Sequence, residues 1–412
     1  MFDQIYHYPK VIARHRQAPW AAERERYLAA RAAQGYHPAT LLRSARELLA
    51  IVGQIQWQPH QQIDEQTITA GAEHWARRQQ RRSRCHTRFW SKTLFIQIAR
   101  DWFGFLGCLQ KVQSAPSHWR TRVDDFVQFL QHQRGLSDKT ISNYSWHASD
   151  FLAWLEEQGR LLAEVSLLDV DAFFCQRGWS RIGNQSRAKC LRAFFRHAER
   201  ACWCASGIAA AIESPRVFAH ESLPIGVAWP DVQRLVDEAS GQTPQQIRDR
   251  AILLLLAVYG MRSSEVAHLC LVNLDWEAMK LHVYRSKSRR TQVFPLPPSV
   301  GTAIKRYLEQ ARPKSNCREI FLTLKAPFRP LSPGGMYHLV CSRMDRLGIR
   351  SRHRGPHALR HACATRLVAQ GLSLKEIGDH LGHRSAFATR IYAKVDMAGL
   401  REVARFDLGG VL

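Results

Sequence analysis

The chain has 412 residues, 45% of them hydrophobic, and 59 Lys and Arg face 35 Asp and Glu for a formal charge of +24. That length exceeds one ordinary core and predicts two or three domains. The charge selects a polyanion partner, nucleic acid first, because every phosphate contact releases counterions. The longest apolar run, Ala251 to Tyr259, is too short to span a bilayer. Met1-Phe2-Asp3-Gln4-Ile5 has no charged start leading into an apolar stretch. A cytoplasmic, nucleoid-associated protein is therefore expected. The ten Cys are scattered, several within apolar helical patterns, as in a reducing compartment. Neither Cys202-x-Cys204 nor Cys85-His86 has a second pair of ligands nearby, so no metal site is expected.

Residues 1–112 read as helical. After a breaker at Gly35, His37-Pro38-Ala39-Thr40 opens a stretch with apolar residues at 41, 42, 45, 48, 49 and 52, one helical face. From Arg77 to Arg100 there are eight cations, among them Arg77, Arg78, Arg81 and Arg82, and no acid. A solvated helix face mixes signs, so this run is assigned to DNA backbone contact. Residues 117–213 form a second helical domain. Ser137-Asp138-Lys139-Thr140 opens one of its helices, and Asn184 to Trp203 forms another that carries Arg187 and Lys189, also assigned to DNA. Gly35 to Thr40 and Gly135 to Thr140 are alike in position and flanks, so residues 1–112 read as a diverged repeat of the second region.

Residues 214–224, with two Pro and no periodicity, are a linker to a domain at 225–412. Trp229 to Ala239 and Ile247 to Tyr259 read as helices, the second too continuously apolar for a surface position. Leu271 to Trp276, Lys280 to Tyr284 and Gln292 to Leu296 read as three short strands. Helices at Gly301 to Gln310 and Met336 to Leu347 follow. Pro356 suits the first turn of a further helix, and Ser373 with Glu376 forms a capping-box pattern for the next.

Chemistry-bearing residues crowd this last domain. Gly260-Met261-Arg262 follows the long apolar run, Lys287 sits in the basic turn Arg285-Ser286-Lys287-Ser288-Arg289-Arg290, and His357, Arg360, His383 and Tyr392 follow in order. A guanidinium clamps phosphate oxygens through a planar fork. An imidazole moves protons near neutral pH, and a phenol can act as a nucleophile. Arg285, Arg289 and Arg290 are assigned to phosphate contact, and Glu265 to orienting the site.

The ordered set Arg262, Lys287, His357-x-x-Arg360, His383, Tyr392 resembles the tyrosine recombinase (phage integrase) family, over roughly residues 224–396. The resemblance implies a mainly α fold: a helical core-binding (SAM-like) domain, then a mostly α catalytic domain with a small three-stranded antiparallel sheet. It also implies a site-specific DNA recombinase that works through a 3′-phosphotyrosyl intermediate. In that mechanism Tyr392 attacks, Arg262 and Arg360 hold the phosphate, and Lys287 protonates the leaving 5′-oxygen. His357 assists proton transfer, and His383 bonds a non-bridging oxygen. A tyrosyl ester conserves the bond energy, so no cofactor is expected. The expected partner is double-stranded DNA, bound by a homotetramer or by an assembly with related recombinases on paired sites. Ala393 to Leu412 would reach a neighbour with Leu400, Val403, Ala404 and Leu408 on one helical face. A type IB topoisomerase-like nicking and resealing enzyme, and a non-catalytic DNA-binding protein, are the alternative readings.

Overall fold

The computed structural model describes residues 1–58, 61–81, 88–110, 119–176, 178–217, 226–285, 290–383 and 385–395. They form two compact units. One joins Met1–Gln110 with Ser222–Leu412, and the other is Lys111–Glu221.

The N-terminal part of the first unit holds helices α1 (Phe2–Ile5), α2 (Pro9–Gln17), α3 (Ala21–Ala33), α4 (Pro38–Val52), α5 (Glu65–Arg81) and α6 (Arg88–Phe105). The apolar stripe read from residues 41–52 is the buried face of α4, where Leu41, Ala45 and Leu48 pack inward. These helices keep a core of their own around Leu28, Ile51, Phe95 and Trp102. The acid-free run of cations is partly answered by acids that precede it. Glu73 of α5 pairs with Lys92 at 2.7 Å and with Arg77 at 3.9 Å, and Glu65 pairs with Arg100 at 2.8 Å. Packing α5 on α6 brings Lys92 and Arg100 to these acids across the hairpin, a pairing that a linear window does not contain.

The second unit holds α7 (Arg120–Gln128), a π-helical turn at Phe129–Gln133, α8 (Asp138–Glu157), α9 (Leu167–Gln176), α10 (Arg181–Arg200) and α11 (Ile208–Ala211). Its core is aromatic: Phe126, Phe151, Phe173, Phe194 and Phe195 meet edge to face. Ring edges on ring faces add to the burial of large apolar areas.

The C-terminal part of the first unit holds α12 (Trp229–Glu238), α13 (Pro244–Val258), α14 (Ser263–Ala267), β1 (Leu274–Asp275), β2 (Lys280–Arg285), β3 (Arg290–Pro295), α15 (Pro298–Gln310), α16 (Pro333–Arg346), α17 (Pro356–Ala369) and α18 (Leu374–Leu381). The strands form an antiparallel sheet in the order β1-β2-β3. Residues Leu271–Asn273, expected as the start of β1, instead make a 3-10 turn. Helix α13 is entered through a Thr243–Gln246 capping box with Pro244 in its first turn. Ile252, Leu253, Leu255 and Leu256 are inaccessible to solvent, as the continuous apolar run requires.

A buried ionic group ties three of these helices together. Asp249 of α13 accepts from Arg343 of α16 at 2.7 Å and from Arg248 at 2.8 Å, and Arg343 also pairs with Glu238 of α12. Burial pushes the Asp249 carboxyl up from its ordinary value, against the pull of Arg248, and pushes Arg343 down to about 10. Removing one member of such a group strands buried charge. Arg343→Ala is therefore expected to destabilise the unit by about 3–5 kcal/mol, seen as a lower urea midpoint; an unchanged midpoint would deny the group a structural role.

Candidate active site

The site is built around the C-terminal end of α18, whose last carbonyls have no partner within the helix. Asp379 O accepts from Gln292 Nε2 at 2.9 Å, and His380 O accepts from Arg285 Nη2 at 2.9 Å. Leu381 O accepts from Arg360 Nη2 at 2.7 Å, and Gly382 O from Arg262 Nη2 at 3.4 Å. Three arginines from separate segments thus converge on one helix end, where the macrodipole favours positive charge. Gly382 permits this. Its φ of +63° closes the helix in the left-handed region, and a Cβ there would lie 2.8 Å from Arg285 Nε.

Glu265, in the first turn of α14, is the carboxylate among them. Its Oε1 accepts from Arg262 Nη1 at 2.7 Å, while Oε2 accepts from Arg285 Nη1 at 2.5 Å and from the Arg262 backbone N–H at 2.8 Å. Its side chain is fully buried. Glu265, expected to orient the site, thus holds Arg262 and Arg285 together. Arg360 has no carboxylate among its described hydrogen bonds and donates instead to the carbonyls of Gly260, at 2.5 Å, and Leu381. Burial pushes it down to about 10, with the positive charge of Arg262 adding to the effect. It remains charged at neutral pH, so the cluster sets three guanidiniums against the one carboxylate of Glu265.

Arg285 corrects a reading from sequence. Expected on phosphate, it is 1% exposed and bound to Glu265, Gln292 and the α18 carbonyl. The period of the strand explains this: Leu281, Val283 and Arg285 share the inward face of β2. The same alternation is present in the sequence and would have placed Arg285 inside. Arg290, paired with it across the sheet, is exposed. Lys287 and Arg289 lie outside the described residues, as do Arg82 and residues 396–412 of the tail.

The two distal groups reach the cluster from the chain after α18. His383 follows Gly382, and its Nδ1 lies 2.7 Å from Thr389 Oγ1. Burial pushes it down to about 4, and Arg360, Arg262 and Arg285 reinforce the shift. A neutral imidazole therefore stands beside the guanidiniums. Tyr392, in the 3-10 turn Arg390–Val395, is 2% exposed and packs on Cys363, Ala364, Val368, Ile377 and Leu381. Burial pushes its phenol up to about 12 against the opposing charge of Arg360. Its oxygen lies 2.9 Å from His361 Nδ1. His357, expected to assist proton transfer, is exposed in the first turn of α17. His361 sits one turn further on the same helix and faces the phenol. The sequence signal for it was a second imidazole at i+4 from His357.

Of the remaining expected DNA contacts, Lys189 is exposed on α10, and Arg187 stacks its guanidinium 3.8 Å over the Trp179 ring. Arg77 and Arg78 are exposed on α5, which ends at Arg81.

Residues 229–398 match the phage integrase family, and residues 123–201 match the phage integrase N-terminal SAM-like domain. The integrase/recombinase y4rA of Sinorhizobium fredii is 39% identical over 300 residues, covering 71% of this chain and 72% of that protein. The chain belongs to the phage integrase family of tyrosine recombinases. It is a tyrosine-type site-specific DNA recombinase that breaks and rejoins DNA strands. Tyrosine recombinase XerD of Shewanella oneidensis is 28% identical over 286 residues, covering 68% of this recombinase and 94% of XerD. Among solved structures, XerH site-specific recombinase bound to difH substrate aligns with a TM-score of 0.54 at 18% identity, over 69% of this chain and 84% of that one. The Tn1549 transposon integrase in complex with transposon right end DNA aligns with a TM-score of 0.51 at 14% identity, over 69% and 99%. At these identities the structural likeness speaks for the fold. Among the described residues, no helix is long and apolar enough to cross a membrane.

Glu265 is the hinge of the cluster's charge balance. Glu265→Gln keeps its shape and removes its charge. Formation of covalent protein–DNA adduct is expected to fall about 10–100-fold while DNA affinity changes by no more than a few-fold. An equal loss in both would make Glu265 a folding residue only.

Proposed function

We propose that Tyr392 is the nucleophile of this recombinase, and that Arg262 and Arg360 seat the scissile phosphate. The observation that carries this reading is the convergence of Arg262, Arg285 and Arg360 on the α18 end, with one carboxylate between them and Tyr392 within reach of the Arg360 charge. A phosphodiester resists attack because its oxygens repel a nucleophile, and fixed guanidiniums offset the charge that grows on them. Arg285 holds the seat together from inside, and His383, kept neutral, donates to a non-bridging oxygen. His357, exposed at the mouth of the helix, faces incoming DNA. Lys287, which falls in sequence between β2 and β3, protonates the leaving 5′-oxygen.

The partner is duplex DNA. The structures aligned above were solved with DNA, and the +24 charge supports the same for this chain. Residues 117–213 act as the core-binding domain, 214–224 as linker and 225–412 as catalytic domain. Residues 1–112 are a further helical DNA-binding region, diverged from the same plan. Gly35 and Gly135 both have positive φ and precede α4 and α8, which supports the repeat. Arg77, Arg78, Arg81, Arg82, Arg187, Lys189, Arg289 and Arg290 contact the backbone. Four copies, or copies mixed with related recombinases, assemble on paired sites in the cytoplasm, and the tail after Tyr392 docks on a neighbour.

Tyr392→Phe is expected to bind its site normally and to trap no adduct on a nicked suicide duplex; a persisting adduct would move the role to another phenol. Arg262→Ala and Arg360→Ala should each slow cleavage about 10²–10³-fold with a modest loss of binding, and equal losses would make them docking residues. A 5′-phosphorothiolate leaving group needs no proton. It should restore cleavage to Lys287→Ala and not to Arg262→Ala, and failure of that rescue would remove Lys287 from the role.

A further inference from the structure

A phenol that attacks phosphorus must shed its proton, and Tyr392 is poorly placed to give it to water. It is 2% exposed, among Cys363, Ala364, Val368, Ile377 and Leu381. The described hydrogen bond of its oxygen is to His361 Nδ1, at 2.9 Å, with the two rings 5.7 Å apart. His361 follows Arg360 directly on α17, so the helix that seats the phosphate also carries this imidazole.

We propose that His361 is a catalytic residue of strand cleavage, accepting the Tyr392 phenolic proton on Nδ1 as the tyrosyl–phosphate bond forms. The proposal rests on Tyr392 as nucleophile. The O–H bond of Tyr392 breaks, Oη bonds to phosphorus, and the bond from phosphorus to the 5′-oxygen breaks. The 5′-oxygen takes a separate proton, from Lys287 in the reading above. On rejoining, a 5′-hydroxyl attacks, Oη leaves, and the imidazolium returns its proton to the phenol.

The surroundings fit an acceptor. His353, in the segment before α17, lies 5.5 Å from His361 ring to ring, and His357 and Arg360 face it from α17 itself. Gly226 packs against it through backbone and brings no charge. Burial, with His353, His357 and Arg360 adding to it, pushes the imidazole down to about 4, so it is neutral at working pH. With its proton on Nε2, the Nδ1 lone pair faces the phenol. A bound phosphate adds negative charge nearby and favours the imidazolium. Proton transfer is then coupled to attack, because the phenol at about 12 does not ionise beforehand.

The same hydrogen bond could instead act only as a latch that keeps the phenol inward, and the two roles have opposite kinetic signs. The test is single-turnover adduct formation by the full-length protein on a nicked suicide duplex, built from the sequence it protects in footprinting. If His361 is the acceptor, His361→Ala and His361→Asn should slow adduct formation about 10²–10⁴-fold with binding unchanged. Added imidazole should restore part of the rate to His361→Ala. A 5′-phosphorothiolate should not, because the defect lies on the nucleophile side. If His361→Ala is unstable, His361→Asn carries the test. Either variant cleaving at the parent rate or faster, beside an inactive Tyr392→Phe, overturns the proposal alone. Adduct formed by Tyr392→Phe overturns the nucleophile assignment and this proposal with it.

Discussion

The end of one short helix gathers the guanidiniums of the C-terminal region. Helix α18 stops at Gly382 and leaves its last carbonyls facing Arg262, Arg285, Arg360 and Gln292. Each comes from a different part of the domain: the entry to α14, the end of β2, the middle of α17 and the strand β3. Carbonyl dipoles hold guanidiniums in place without neutralising them, which a carboxylate would do. Glu265 is the exception, and it takes two of the three arginines. The third, Arg360, keeps its charge on backbone acceptors alone among its described bonds.

That economy of countercharge explains the protonation states around it. Burial pushes His383 and His361 both down to about 4, and the positive charge of Arg360 adds to the effect at each. The phenol of Tyr392 is pushed the other way by burial, to about 12. Charged arginines, neutral imidazoles and a protonated phenol make up the resting site.

Glycine matters where this packing is closest. Gly260 has a φ of +56°, offers its carbonyl to Arg360, and leaves no room for a Cβ beside Leu381. Gly382 does the same beside Arg285. Both bracket the arginine cluster, so the backbone itself sets how closely the guanidiniums pack.

Much of this was legible in the linear chain. The continuous apolar run set α13 in the core, the Ser373–Glu376 pair capped α18, and the order of Arg262, Lys287, His357, Arg360, His383 and Tyr392 marked the family. These features are local in period or spacing, or depend on residue type alone. Contacts between segments far apart were decided only by the tertiary structure. Glu73 and Glu65 met cations of the next helix because α5 packs on α6. Arg285 turned inward because Glu265 and the α18 end were waiting there, and a buried guanidinium is tolerable only where such acceptors exist. His361, unremarkable beside Arg360 in sequence, meets the Tyr392 phenol because the 3-10 turn carrying Tyr392 packs on α17. A sequence states which groups are present and which face of an element they occupy; which distant group meets them depends on how the elements pack.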